Sequence, residues 1–202
     1  MMRRLVLAIA LPAVLAACGA EEVWAPDEAV RAAAYRSDQS PSITLITAVN
    51  NRSNEGAHSA ILINGSQRVL YDPAGSWWHK TVPERSDVLY GMTPLMLEFF
   101  VDYHARETYR VEVHEIKVTA EQAEAALRAA EAQGAAPKAF CANHTGQVLR
   151  QVPGFEKIGG GFFPGRLKKS FAKLPGVVET IYYDDDFDDN RGVLAAQDAA
   201  KI

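Results

Sequence analysis

The chain has 202 residues, with 21 Lys and Arg against 25 Asp and Glu and a formal net charge of −4. That length suits one domain with a real core. The charge balance offers no basic stripe for nucleic acid and no general attraction to an anionic surface. Only two cysteines are present, Cys18 and Cys141.

The chain opens Met1-Met2-Arg3-Arg4, and Leu5 to Ala17 is almost wholly apolar. A charged start, a short apolar run and small residues at its end read as a secretory leader. The run falls short of the about 20 apolar residues needed to span a bilayer. Leu15-Ala16-Ala17-Cys18 resembles the lipobox of bacterial lipoproteins. The resemblance implies a signal peptide over 1–17, a Cys18 that is lipidated with palmitate-like acyl chains, and a membrane anchor. Each buried CH₂ contributes about 0.8 kcal/mol, so two or three chains tether almost permanently. Gly19, where inner-membrane lipoproteins carry Asp, implies the periplasmic face of the outer membrane. Residues 18–41 are Ala- and Glu-rich, with Pro26 and Pro41, and read as a linker.

The domain is expected over 42–183. Ser42 to Val49 alternates and is rich in β-branched residues, so it reads as a strand. Ala57 to Ile63 is a second strand, Asn64-Gly65-Ser66 a turn, and Arg68 to Asp72 the return strand, stopped by Pro73. Periodicity fails from Ala74 to Met92, which predicts a long loop with Trp77 and Trp78 on its cleft side. Thr93 and Pro94 predict a helix start, and the apolar run ends near His104. Thr108 to Val118 alternates as a strand with one wet face, on which His114 is expected to be solvated.

Thr119-Ala120-Glu121-Gln122 is a capping box, and the helix that it opens should end near Gly134. A helix is predicted from Cys141 to Arg150, before Pro153. Gly159-Gly160-Gly161 lacks the Lys-Ser/Thr of a phosphate loop and reads as a hinge. Pro164 to Lys173 predicts a basic amphipathic helix with a solvated face, and Val177 to Tyr183 the last strand. Residues 184–202 read as an acidic tail that frays. Asp184 to Asn190 lacks the Gly and the later Glu of a calcium loop.

With Cys18 lipidated, Cys141 has no intramolecular partner in a compartment where thiols oxidise. Such a cysteine is either a small buried side chain or a reactive thiol. At the first turn of a helix, free N–H groups and the dipole favour the thiolate. Five histidines are candidate bases. His79 lies in the aromatic loop, and His104 ends a helix, where a cation suits the dipole. His144 follows Cys141 on the same helical face, but no further ligand set completes a zinc site with that pair. His58 sits at a sheet end and is the preferred base. If Asn64-Gly65-Ser66 is a three-residue loop, Ile63 pairs with Gln67 and His58 lies opposite Asp72, which would orient the ring and stabilise its cation. A two-residue loop would put Asp72 on the other face, so register decides this detail. Asn64 is a weaker orienter, since the turn explains it.

A lipobox, a histidine opening a hairpin strand in Ala57-His58-Ser59-Ala60, a polar Asp72 on the return strand and a late helix start at Phe140-Cys141-Ala142-Asn143 together resemble the circularly permuted papain-like families. These include relatives of the NlpC-type cell-wall peptidases and the lecithin retinol acyltransferase-like proteins. The resemblance covers roughly Ser42 to Arg150. It implies an α+β domain, an antiparallel sheet with helices packed on one side. It makes Cys141 the nucleophile, His58 the base and Asp72 the third member, with no metal or cofactor. It implies a hydrolase or acyltransferase of the bacterial cell envelope, acting on murein peptides or lipid acyl groups. Cys141 is followed by Ala142 where permuted relatives commonly carry a small polar residue. The alternative is therefore a catalytically inactive lipoprotein that uses the same cleft for binding or envelope assembly.

Overall fold

The computed structural model describes Ala20 and residues 22–200. The leader, Cys18 and Gly19 lie outside the described residues. In chain order the elements are α1 (Asp27–Ala33), β1 (Ser42–Asn50), β2 (Gly56–Asn64), β3 (Arg68–Tyr71), β4 (Glu84–Arg85) and β5 (Val88–Tyr90). There follow α2 (Pro94–His104), β6 (Tyr109–Lys117), α3 (Ala120–Gln133), α4 (Cys141–Arg150), α5 (Pro164–Phe171), β7 (Val178–Tyr182) and α6 (Arg191–Ala199). The seven strands form one antiparallel sheet in the order β4-β5-β3-β2-β1-β6-β7. The fold is α+β, as expected.

Helices cover both faces of this sheet, which corrects the expected one-sided arrangement. On one face Ile43, Leu45, Ile61, Ile63, Val69 and Tyr71 pack under α3, α4 and α5. On the other, Ile46, Ala60, Leu62, Leu70 and Val111 pack under Met96, Phe100 and Tyr103 of α2. The reason lies in β1 itself. Both of its alternating sets carry apolar residues, and Ser42 to Val49 is buried throughout. A strand of that kind requires cover on both sides.

Local helix signals hold. Thr93 accepts from the Met96 N–H with Pro94 in the first turn. Thr119 and Gln122 form a reciprocal capping box, and α3 ends at Gly134. Three other expectations change. The polar face of β6 is not wet. Glu112 and His114 are buried, because α5 and β7 close over them. Glu112 holds Arg110 at 2.6 Å and also pairs with Lys168 of α5. The segment from Ala74 to Met92 carries β4 and β5, and Trp77 is core rather than cleft-side, packed edge-on against Phe100. Finally, the acidic tail is packed on the domain over its described residues, 184–200. Gln197 of α6 accepts from Trp77 Nε1 at 3.0 Å and donates to Phe99 O and to Asp102. Arg106 and Thr108 hold Asp186 and Asp188. The segment before Ser42 is likewise laid on the domain: Ala25 N–H donates to Glu84 O, and Arg68 N–H to Tyr35 O.

The β2–β3 hairpin turns through Gly65, Ser66 and Gln67. Asn64 pairs with Arg68, and Ile61 with Tyr71. The pairing is thus displaced by two residues from the expected Ile63–Gln67 register. A shift of two preserves side-chain parity, so His58 and Asp72 still project from the same face. They meet diagonally rather than directly across.

Candidate active site

The site begins where β3 stops. Its first pair on β2 is Ile61 with Tyr71, so β2 from Gly56 to Ala60 has no strand beside it on that edge. The helical segments α4 and α5 occupy the place. Gly56 makes the approach feasible, since a Cβ there would lie 2.5 Å from the backbone nitrogen of Gly165 at the start of α5. The backbone of Ser59, which a neighbouring strand would otherwise satisfy, turns to α4. Its N–H donates to the Cys141 sulfur, and its carbonyl accepts from Thr145 Oγ1 at 3.3 Å.

Cys141 opens α4. The N-cap is Phe140, which has no side-chain acceptor to offer the first turn. The sulfur takes that role instead, receiving the Ala142 N–H as well as that of Ser59. Burial pushes the Cys141 thiol up. A hydrogen bond and the charge of His58, then the two backbone N–H groups, outweigh it, and the thiol sits below its ordinary value.

His58 comes from β2 on the α2 side of the sheet. Its Nε2 lies 2.6 Å from Asp72 Oδ1, a charge-assisted hydrogen bond to a carboxylate only 3% exposed. Burial alone would push the imidazolium down. Asp72, by charge and by hydrogen bond, and then the Cys141 sulfur reverse this and raise it to about 10. The nitrogen not used by Asp72 is the one left for the sulfur. His58 is therefore the link between a carboxylate on one side and a thiol on the other.

Asp72 is fixed by its own loop. Its N–H donates to Asp87 O, and its carbonyl accepts from Gly75 N–H at 3.0 Å. A Cβ on Gly75 would fall 1.8 Å from Asp72 Oδ2, so only glycine leaves the carboxylate where it stands.

Two further residues complete the setting, and the first of them sequence reasoning passed over. Asp87 is buried, and its Oδ2 accepts from Ala74 N–H at 3.1 Å and Ala136 N–H at 2.7 Å. It thus pins the loop after Asp72 to the segment that leads into α4. Burial raises the Asp87 carboxyl, while these two N–H groups oppose the rise. Ala74, Ser86, Asp87 and Ala139 all adopt positive φ in these same turns. Backbone strain therefore gathers around the site. The second, His104, one of the five candidate bases, stacks on His58 with centroids 5.5 Å apart and planes 7° from parallel. Its Nδ1 donates to Phe100 O at 2.8 Å. Burial, and then the charge of His58, lower His104 to about 4, so it is a neutral ring and not the helix-end cation expected. Nothing in the local sequence marks Asp87, or His104 as a neutral ring stacked on His58, because both roles depend on contacts across the fold.

The remaining candidates lie elsewhere or do other work. His144 Nδ1 is 3.4 Å from the Tyr71 hydroxyl, beside the ring of Phe140. His79 bonds Thr81 and Gln197 O, and ties α6 to the aromatic loop. Asn64 donates to Gln39 O and Ser40 O at the far end of β2. A cavity of about 200 Å³ opens beside His58 and His104, lined also by Tyr103, Arg106, Asp188 and Asn190. No family model, curated protein or solved structure matches this chain.

Proposed function

We propose that this chain is a thiol hydrolase or acyltransferase, with Cys141 as nucleophile, His58 as proton carrier and Asp72 as its orienter. The observation that carries the reading is His58 itself, bonded at 2.6 Å to a buried carboxylate and also to a thiol lowered by it. This pairing suits acyl transfer. The thiolate adds to a carbonyl carbon, a C–S bond forms, and the C–N or C–O bond of the substrate breaks. The His58 imidazolium gives its proton to the departing amine or alcohol. Water, or an acceptor hydroxyl or amine, then attacks the thioester while His58 takes up its proton. Asp72 keeps the ring in one orientation throughout and offsets its positive charge. Ser59 and Ala142 N–H groups hold the sulfur before attack. The permuted papain-like resemblance and the lipobox support this reading, and with it a reaction at a bacterial envelope on murein peptides or acyl esters.

The test is a covalent one. Exposure to an activated acyl ester should add a single acyl mass to the folded chain, mapped to Cys141 and released by hydroxylamine. Cys141→Ala should carry none. An unmodified Cys141 in the folded protein, with modification only after denaturation, would leave a thiol that serves packing alone and favour the inactive-lipoprotein alternative.

A further inference from the structure

Beside the Cys141 sulfur the surface departs from the usual rule that large apolar side chains are covered. Phe140, the residue before Cys141, is 37% exposed. Phe162 and Phe163 are 53% and 56% exposed. The Phe162 ring meets Phe140 edge-on at 4.9 Å, so the rings from two separate loops form one patch. The Arg166 guanidinium lies 4.7 Å over Phe163. Lys169, three residues further along α5, is exposed on the same side of the helix. Lys168 is different, because Glu112 already neutralises it. Among the described residues Arg166 and Lys169 have no ion pair.

We infer that Phe140, Phe162, Phe163, Arg166 and Lys169 form a docking surface for an anionic lipid bilayer. Aromatic rings flanked by cations are the composition that settles at headgroup depth. The rings lose water to the acyl boundary, and the cations meet phosphate. A stable protein interface buries about 800 Å² on each partner, more than a few rings and two cations supply, whereas a bilayer accepts a small wedge. The charge argument is local: the whole chain is anionic, but this face offers two unpaired cations beside its exposed rings. Docking would bring the first turn of α4, and with it the Cys141 sulfur, to the level of the headgroups. The surface is independent of the proposed thiol chemistry, because its test measures contact and not turnover.

The experiment compares Phe162→Trp with Phe187→Trp in the full chain. Phe187 is 80% exposed within the acidic segment and serves as a control on another surface. Each variant is incorporated into phosphatidylcholine–phosphatidylglycerol vesicles with brominated acyl chains, and emission is referred to the unsubstituted chain. Any N-terminal anchor acts equally on both variants. The expected result is a roughly twofold larger loss of added emission for Phe162→Trp. The difference should shrink with Arg166→Glu/Lys169→Glu or when phosphatidylglycerol is omitted. Equal loss in the two variants, or no loss in either, would overturn the surface. A difference unmoved by both charge changes would overturn its assignment to anionic lipid.

Discussion

His58 and His114 are both strand histidines whose Nε2 faces a carboxylate, at 2.6 Å from Asp72 and 3.2 Å from Glu179. They titrate in opposite directions. His58 rises because its partner is dry, at 3% exposure, and because a sulfur that can become anionic touches it as well. His114 is lowered by burial. Glu179, 49% exposed, opposes this without overcoming it, and of the other neighbours Lys168 adds to the lowering while Glu112 opposes it. A half-solvated carboxylate is screened, whereas a buried one acts at closer to full strength. What makes one pair a candidate catalyst is thus not the histidine and its acid alone but the dryness of that acid and the thiol at the same ring.

The comparison is broken most severely by removing the two rings in turn. His58→Ala is expected to lower turnover by about 10²–10⁴-fold, the usual worth of a positioned general base. His114→Ala should leave turnover in place and cost only about 1–3 kcal/mol of stability, read by denaturant unfolding. Equal losses of activity would end the distinction. Asp72→Asn keeps the shape and removes the charge. Losing a charge-assisted hydrogen bond of about 1.5–3 kcal/mol should slow turnover about 10- to 10²-fold. Its Glu179→Gln counterpart on the β7 side should have no effect on rate. Gly75→Ala acts more gently and at one remove. The added Cβ must displace the Asp72 carboxylate, at a cost of about 1–3 kcal/mol. A lower melting temperature together with weaker thiol reactivity would show that the loop aims the acid. A lower melting temperature with unchanged reactivity would show that it does not.

How legible each region was follows from the range of the forces involved. Thr93-Pro94 and Thr119 to Gln122 were readable because a cap satisfies N–H groups within its own first turn. Cys141 and His58 stood out as residue types placed at element starts. The face of Asp72 depends on the register, and the structure lies two residues from the three-residue-loop pairing, which keeps Asp72 on the face of His58, since only odd shifts move a side chain across the sheet. The rest required distant partners. Glu112 and His114 alternate like solvated residues and are buried only because Lys168 and Glu179 arrive from later in the chain. The tail looked free, yet Gln197 bonds Trp77 and Asp102. β4 and β5 are too short to show a period and become strands only through pairing. Asp87 carries no local mark, and His104 reads locally as a helix-end cation, as their roles exist only once the loops around Asp72 and Cys141 have met.

The central claim is that His58 and Cys141 share a proton so that sulfur is ionised where a free thiol is not. A thiol with a lowered value is present as thiolate above that value and loses reactivity as pH falls through it. His58, raised to about 10, remains protonated across the same range and keeps the pair charged. The direct measurement is the rate of Cys141 alkylation by iodoacetamide against pH in the folded chain, with His58→Ala and His144→Ala beside it. The account predicts an inflection below that of an ordinary thiol at about 8.5, returned to the ordinary value by His58→Ala and kept low in His144→Ala. An inflection at the ordinary thiol value in the unsubstituted chain, or one that only His144→Ala removes, would contradict it.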